Sequence, residues 1–117
     1  MRIAIPVWQE KVSPVLDTAL TLRVVDRKGK VCTSCFDTRL DEHEISKRCV
    51  RIDRMNIDVV ICGAVSRAML EMLKASGIQI IYGISGPYEK VLDAYFEGCL
   101  YCPKFMMPGY DHSDLQG

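Results

Sequence analysis

Histidine and tryptophan are scarce in this chain: two histidines and one tryptophan among 117 residues. His43 and His112 have no ligand spacing to one another, and neither lies at an expected strand mouth. No nucleophile–base–acid constellation is visible, so the chain is expected not to be an enzyme. Net charge is missing too, with 15 basic residues against 15 acidic ones. A nucleic-acid binder carries a basic excess, so no nucleic-acid partner is expected. The one basic cluster, Lys47, Arg48, Arg51 and Arg54, is interleaved with Glu44 and Asp53 and reads as a solvated helix face. Long apolar runs are absent: nothing approaches the roughly 20 residues of a membrane span. The opening "MRIAIPVW" is too short for a signal peptide and is interrupted by Pro6. A cytoplasmic location away from membranes is therefore expected, and the six cysteines read as reduced thiols suited to metal or redox chemistry.

What the chain does have is apolar content, 49% of it, enough for one core in a chain of ordinary domain size. "RIAIPV" is a short apolar strand. "TLRVVD" and "KVCTSCF" flank a hairpin turn at Arg27-Lys28-Gly29. Ile45, Cys49, Ile52 and Met55 recur at helical spacing, predicting an amphipathic helix from Asp41 to about Met55. "DVVIC" and "IQIIY" are continuously apolar, as expected of strands covered on both faces. Between them a helix is expected over Val65 to Ser76, with Met69, Met72 and Leu73 inward and Gly77 as its stop. Pro87 opens a third helix, with an apolar stripe of Tyr88, Val91, Leu92, Tyr95 and Phe96.

The order β, β, β, α, β, α, β, α with right-handed crossovers predicts an α/β fold. It is a three-layer α/β/α arrangement around a five-stranded mixed sheet, order 3-2-1-4-5 in expected-strand numbering. Residues 1–102 form one expected domain, and residues 103–117 have no periodicity and read as a loose tail.

In such a sheet, ligands sit beyond the carboxyl ends of the parallel strands. Three segments converge there: "WQEKVSPVLD", "CGAVSR" and "YGISGP". The latter two open onto helix N-termini, where free N–H groups and the helix dipole favour an anion. Gly63, Gly83 and Gly86 let a ligand approach the backbone, Ser66 and Ser85 cap or donate, and Arg67 adds a cationic fork. Glycine after a strand and serine as a cap are also ordinary loop chemistry.

"MRIAIPV", "VSPVLDTA", "DVVICGAVSR" and "GISG", in this order, resemble the dinitrogenase iron-molybdenum cofactor biosynthesis family, relatives of nitrogenase accessory factors. The likeness covers roughly residues 1–98. It implies a fold with a ribonuclease-H-like motif. It also implies that the chain binds or carries an anionic iron-sulfur or molybdenum-containing cluster, as a non-catalytic carrier dealing with donor or acceptor proteins. The expected cofactor-binding residues are Ser13, Pro14, Cys62, Gly63, Ala64, Val65, Ser66, Arg67, Gly83, Ser85 and Gly86. Nuclease chemistry is not expected, because the first strand carries no acid and Asp58 lies at the wrong end of its strand.

Two Cys-x-x-Cys pairs, Cys32–Cys35 and Cys99–Cys102, supply an alternative: four thiolates for zinc or iron. Regular pleating would send Cys32 and Cys35 to opposite faces, so chelation there needs a bulge or a strand end. Cys99–Cys102 is the more promising pair for chelation, expected in a loop between the Gly98 helix stop and Pro103. A thioredoxin-like role is not expected, because Cys99 follows a helix C-terminus, where the dipole opposes a thiolate. A further alternative is a small-anion binding module with inert cysteines. Cys49 belongs to an apolar stripe, Cys62 is either core or ligand contact, and Met106–Met107 read as packing residues.

Overall fold

Strand β1 (Arg2–Trp8) is the spine of the sheet: Ile3, Ala4 and Ile5 are each fully buried. The computed structural model describes residues 1–98, 100 and 105–107. After β1 a two-residue turn returns the chain into β2 (Lys11–Val12), which pairs antiparallel with β1 at Val7↔Val12 and Trp8↔Lys11. The turn residues Gln9 and Glu10 have φ of 53° and 62°, the left-handed geometry that a two-residue hairpin of this twist requires. β3 (Thr21–Lys28) and β4 (Val31–Arg39) form the expected antiparallel hairpin. Then come α1 (Ile45–Arg54), β5 (Val59–Ile61), α2 (Arg67–Ala75), β6 (Gln79–Ile81) and α3 (Tyr88–Glu97).

The sheet has six strands, one more than expected, and is mixed. Its main path runs β4-β3-β1-β5-β6, with β2 attached to β1. β1, β5 and β6 are parallel, in register at Ile3↔Val59 and Val60↔Ile80. β2 is too short to carry an alternation of its own, so no periodicity announces it.

Alternate residues of the strands feed two cores. Ile3, Ile5, Val25 and Ile61 pack with Val91 and Leu92 of α3 on one face. Ala4, Leu22, Val24 and Val60 pack with Cys49, Ile52, Met69 and Leu73 of α1 and α2 on the other. Met72, expected inward, is 41% exposed, because the stripe of α2 narrows to Met69 and Leu73. Asn56, at φ 56°, closes α1 in the left-handed conformation that asparagine tolerates.

The solvated-face reading of the basic cluster fails at Arg48, which is 4% exposed. Its guanidinium donates to the carbonyls of Glu42 (2.7 Å), Ala19 (2.9 Å), Leu40 (3.3 Å) and Leu16 (3.5 Å). A charged fork is held inside because four backbone acceptors of two loops converge on it. None of the described helices is long and apolar enough to cross a membrane.

Candidate functional site

The segments leaving β1, β5 and β6 are stitched into one surface by their backbones. Ala64 N–H donates to Pro14 O and Leu16 N–H to Ala64 O, both at 2.8 Å, so the first loop runs parallel to the second. Gly83 N–H donates to Gly63 O (2.9 Å) and Ile84 N–H to Cys62 O (3.0 Å), joining the second loop to the third. Val12 N–H reaches Gly86 O at 2.9 Å and ties the third loop back to the hairpin. Ser13, Pro14, Gly63, Ala64, Gly83, Ser85 and Gly86 are thereby brought together.

The glycines have physical reasons within the chain. A Cβ on Gly63 would stand 2.5 Å from Pro14 O and 2.8 Å from Ser13 O, so glycine there makes room for the neighbouring loop. Gly86 has φ +119°, a conformation that side chains rarely adopt.

Helix α2 opens on Ser66, whose Oγ accepts from Met69 N–H at 3.2 Å. The N–H of Ser66 itself donates to Asp17 Oδ1 at 2.8 Å. A carboxylate of the first loop therefore already sits at the positive end of α2. Sequence reasoning missed Asp17; the signal was an acid in the loop expected to face a helix N-terminus. At α3, Pro87 has no N–H to offer, and Tyr88 N–H donates to Glu10 O at 3.0 Å. The N–H groups of Glu89 and Lys90 in the first turn of α3 have no intrahelical acceptor, and neither do those of Arg67 and Ala68 in the first turn of α2. The Arg67 side chain beside them is 89% exposed and comes within 4.0 Å of Glu71. Trp8, Pro14 and Val15 form an exposed apolar rim, and Ala64 and Val65 are half-buried beside it.

Cys62 is not part of that surface. It is fully buried in the α1/α2 core, and burial, with a smaller push from the Asp17 charge, raises its thiol far above the ordinary range. Cys49 is likewise buried, its Sγ 3.9 Å from Met69 O. Within the segment expected as a tail, Phe105–Met107 lies across the third loop: Ser85 N–H donates to Phe105 O (2.7 Å) and Met107 N–H to Gly83 O (2.8 Å). Cys32 and Cys35 are exposed on β4 and take no part in the backbone bonds that join the loops. Cys99, Cys102 and His112 lie outside the described residues. Among the described residues no group of three or more His, Cys, Asp or Glu side chains is placed to hold a metal ion.

Beside the site, Arg23 locks the hairpin to the sheet. Its guanidinium pairs with Asp37 (2.7 and 2.9 Å) and with Glu10 (2.7 and 3.1 Å), and its centre lies 4.4 Å from the Tyr88 ring centroid. Those bonds hold the Asp37 and Glu10 carboxyls below their usual range.

A single mixed sheet between α1/α2 on one face and α3 on the other, with its parallel strands ending in one stitched surface, defines a small α/β domain. Residues 1–98 match the model of the family described as dinitrogenase iron-molybdenum cofactor, and the chain belongs to that family. Three solved structures show the same fold. The apo form of the orange protein from Desulfovibrio gigas is 17% identical, with TM-score 0.69, covering 84% of this chain and 88% of its own. A candidate dinitrogenase from Methanocaldococcus jannaschii is 19% identical, with TM-score 0.72, covering 85% and 90%. A candidate NifB protein from Thermotoga is 23% identical, with TM-score 0.67, covering 84% and 89%. No curated protein matches the sequence.

Proposed function

We propose that this chain is a non-catalytic carrier that holds an anionic metal–sulfur cluster as cargo at its strand-end surface. The observation that supports this reading is the stitched junction of the three loops in a chain of the iron-molybdenum cofactor family. The cargo rests against the first turn of α2, where the N–H groups of Arg67 and Ala68 and the Arg67 guanidinium meet its negative charge. Trp8 and Val15 cover its apolar flank. The Asp17 carboxylate keeps the cargo from sitting directly on Ser66 and sets it outward, toward Arg67. With Cys62 buried and protonated, the contact is ionic and hydrogen-bonded rather than thiolate ligation. A cargo held this way can be handed on without breaking a metal–protein bond.

The test is anaerobic loading with an iron–sulfur or thiomolybdate cluster, followed by metal analysis and visible absorption. Arg67→Glu is expected to weaken uptake by about tenfold or more, the equivalent of losing one charge-assisted contact. Serine at Cys32, Cys35, Cys99 and Cys102 together is expected to leave uptake intact. Loss of uptake in that quadruple variant, with Arg67→Glu unaffected, moves the metal to the cysteine pairs and overturns the carrier reading. No uptake by the parent chain overturns it as well.

A further inference from the structure

On β4 the spacing of Cys32 and Cys35 should separate them, but the strand is not regular. Asp26 of β3 pairs with Ser34 and the next residue, Arg27, pairs with Cys32, leaving Thr33 without a partner. This one-residue bulge resets the alternation. Cys32 stands opposite Arg27 and Cys35 opposite Val25, and those two residues are two apart on β3. Both cysteines therefore face the α3 side of the sheet. There they line one cavity of about 240 Å³ whose wall includes Val25, Arg27, Lys30, Leu92 and Asp93, and also Tyr88 and Glu89 at the start of α3. Its ends are braced by two arginines of β3: Arg23 stacks on Tyr88, and Arg27 stacks on Phe96 at 4.4 Å while pairing with Asp93 at 2.9 Å. The two thiols thus have a shared orientation, a preformed cleft and access to solvent.

Geometry selects what they can hold. Residues two apart on a strand are separated by about 6.7 Å, and the cysteines inherit that separation from their partners. A disulfide wants Cβ atoms about 3.8 Å apart, much closer than side chains standing parallel at that spacing. A metal ion with two thiolate bonds of about 2.3 Å spans roughly 4.6 Å between sulfurs, which the side chains reach by rotamer choice. Among the described residues no third Cys, His, Asp or Glu joins them as a ligand group, so within those residues the pair offers two thiolates and no tetrahedral set. Two thiolates alone suit a soft monovalent cation.

We propose that Cys32 and Cys35 form a two-thiolate site for a single soft monovalent cation of the Cu(I) class, on the α3 face and separate from the strand-end surface. Binding joins one cation to two thiolate sulfurs and releases their two protons to solvent; nothing is oxidised or reduced. The site is independent of the carrier reading, and its test has a different readout.

The experiment is an anaerobic titration of the full-length chain carrying Cys99→Ser and Cys102→Ser against the coloured Cu(I)–bicinchoninate complex. One equivalent of Cu(I) is expected to leave the dye. Cys32→Ser or Cys35→Ser is expected to weaken capture by about 100-fold or more. The decisive variant is Ser34→Cys with Cys35→Ser. It keeps two cysteines on the strand but moves one to the face of Asp26, and capture is expected to be lost. Deletion of Thr33 removes the bulge and leaves both cysteines on one face of a regular strand, so capture is expected to persist. Undiminished capture by the Ser34→Cys, Cys35→Ser variant overturns the proposal. So does loss of capture in the folded Thr33 deletion, or failure of the starting chain to withdraw copper from the dye.

Discussion

An added methyl group at Gly63 has nowhere to go, because backbone carbonyls of the first loop stand 2.5 and 2.8 Å from where it would be. Gly63→Ala must push the Ser13–Pro14 loop away, which also loosens its bonds to Ala64. The expected loss is about 1–3 kcal/mol of stability, read as a lower urea midpoint with an unchanged slope. A bulkier residue at Gly63 therefore tests the fold before it tests ligand uptake, and Arg67 is the cleaner probe of the surface. Arg48 makes the opposite case, a buried charge held in place by the backbone carbonyls it satisfies. Arg48→Met leaves the carbonyls of Ala19 and Glu42 without their donor, at an expected cost of about 2–4 kcal/mol. Lys47→Met, at an exposed neighbour, is expected to change the midpoint by no more than about 0.5 kcal/mol.

Among the elements, the junction of hairpin, β4 and α3 at Arg23 carries a pH dependence. The hydrogen bonds from Arg23 lower the folded-state pKa of Asp37 and of Glu10. A carboxyl with a depressed folded pKa contributes stability above its unfolded pKa, and that contribution is lost as pH falls through the folded value. The melting temperature is therefore expected to fall below about pH 4, and Arg23→Gln is expected to flatten that fall while lowering the neutral-pH melting temperature. Scanning calorimetry across this range reads both effects. The long-range plan was legible because period and run length announce β1, β5, β6 and the three helices. Other features left no such trace. β2 is two residues long, and the bulge at Thr33 lies in a strand exposed almost throughout, where no buried alternation marks the register. The burial of Arg48 depends on carbonyls distant in sequence. At the candidate site the glycines and the meeting of the loops were readable from strand ends. The Asp17 contact and the burial of Cys62 arise from packing between segments distant in sequence, which no local pattern records.

At the scale of the molecule, one sheet separates two cores, and the strand-end loops are anchored in both, through Val12 and Ile84 on one face and Leu16 and Cys62 on the other. The proposed cargo surface and the proposed thiol site share one brace, because Arg23 holds Glu10 of the hairpin and stacks on Tyr88, which also lines the cysteine cavity.

The Gln9–Glu10 turn adds a dimension of time. Two non-glycine residues at φ 53° and 62° cost roughly 1–2 kcal/mol each, so this hairpin does not persist on its own. Its compensation comes from Arg23 and from Tyr88 N–H, groups remote in the chain that are in place only after the sheet and α3 have docked. The hairpin is therefore expected to close late, after the rate-limiting barrier of folding. In a denaturant-jump series, Glu10→Ala should leave the refolding rate unchanged and speed unfolding by the full loss of stability, a φ-value near zero. The rim that carries Trp8 would then open before the strands and α3 on which it rests, and be completed after them.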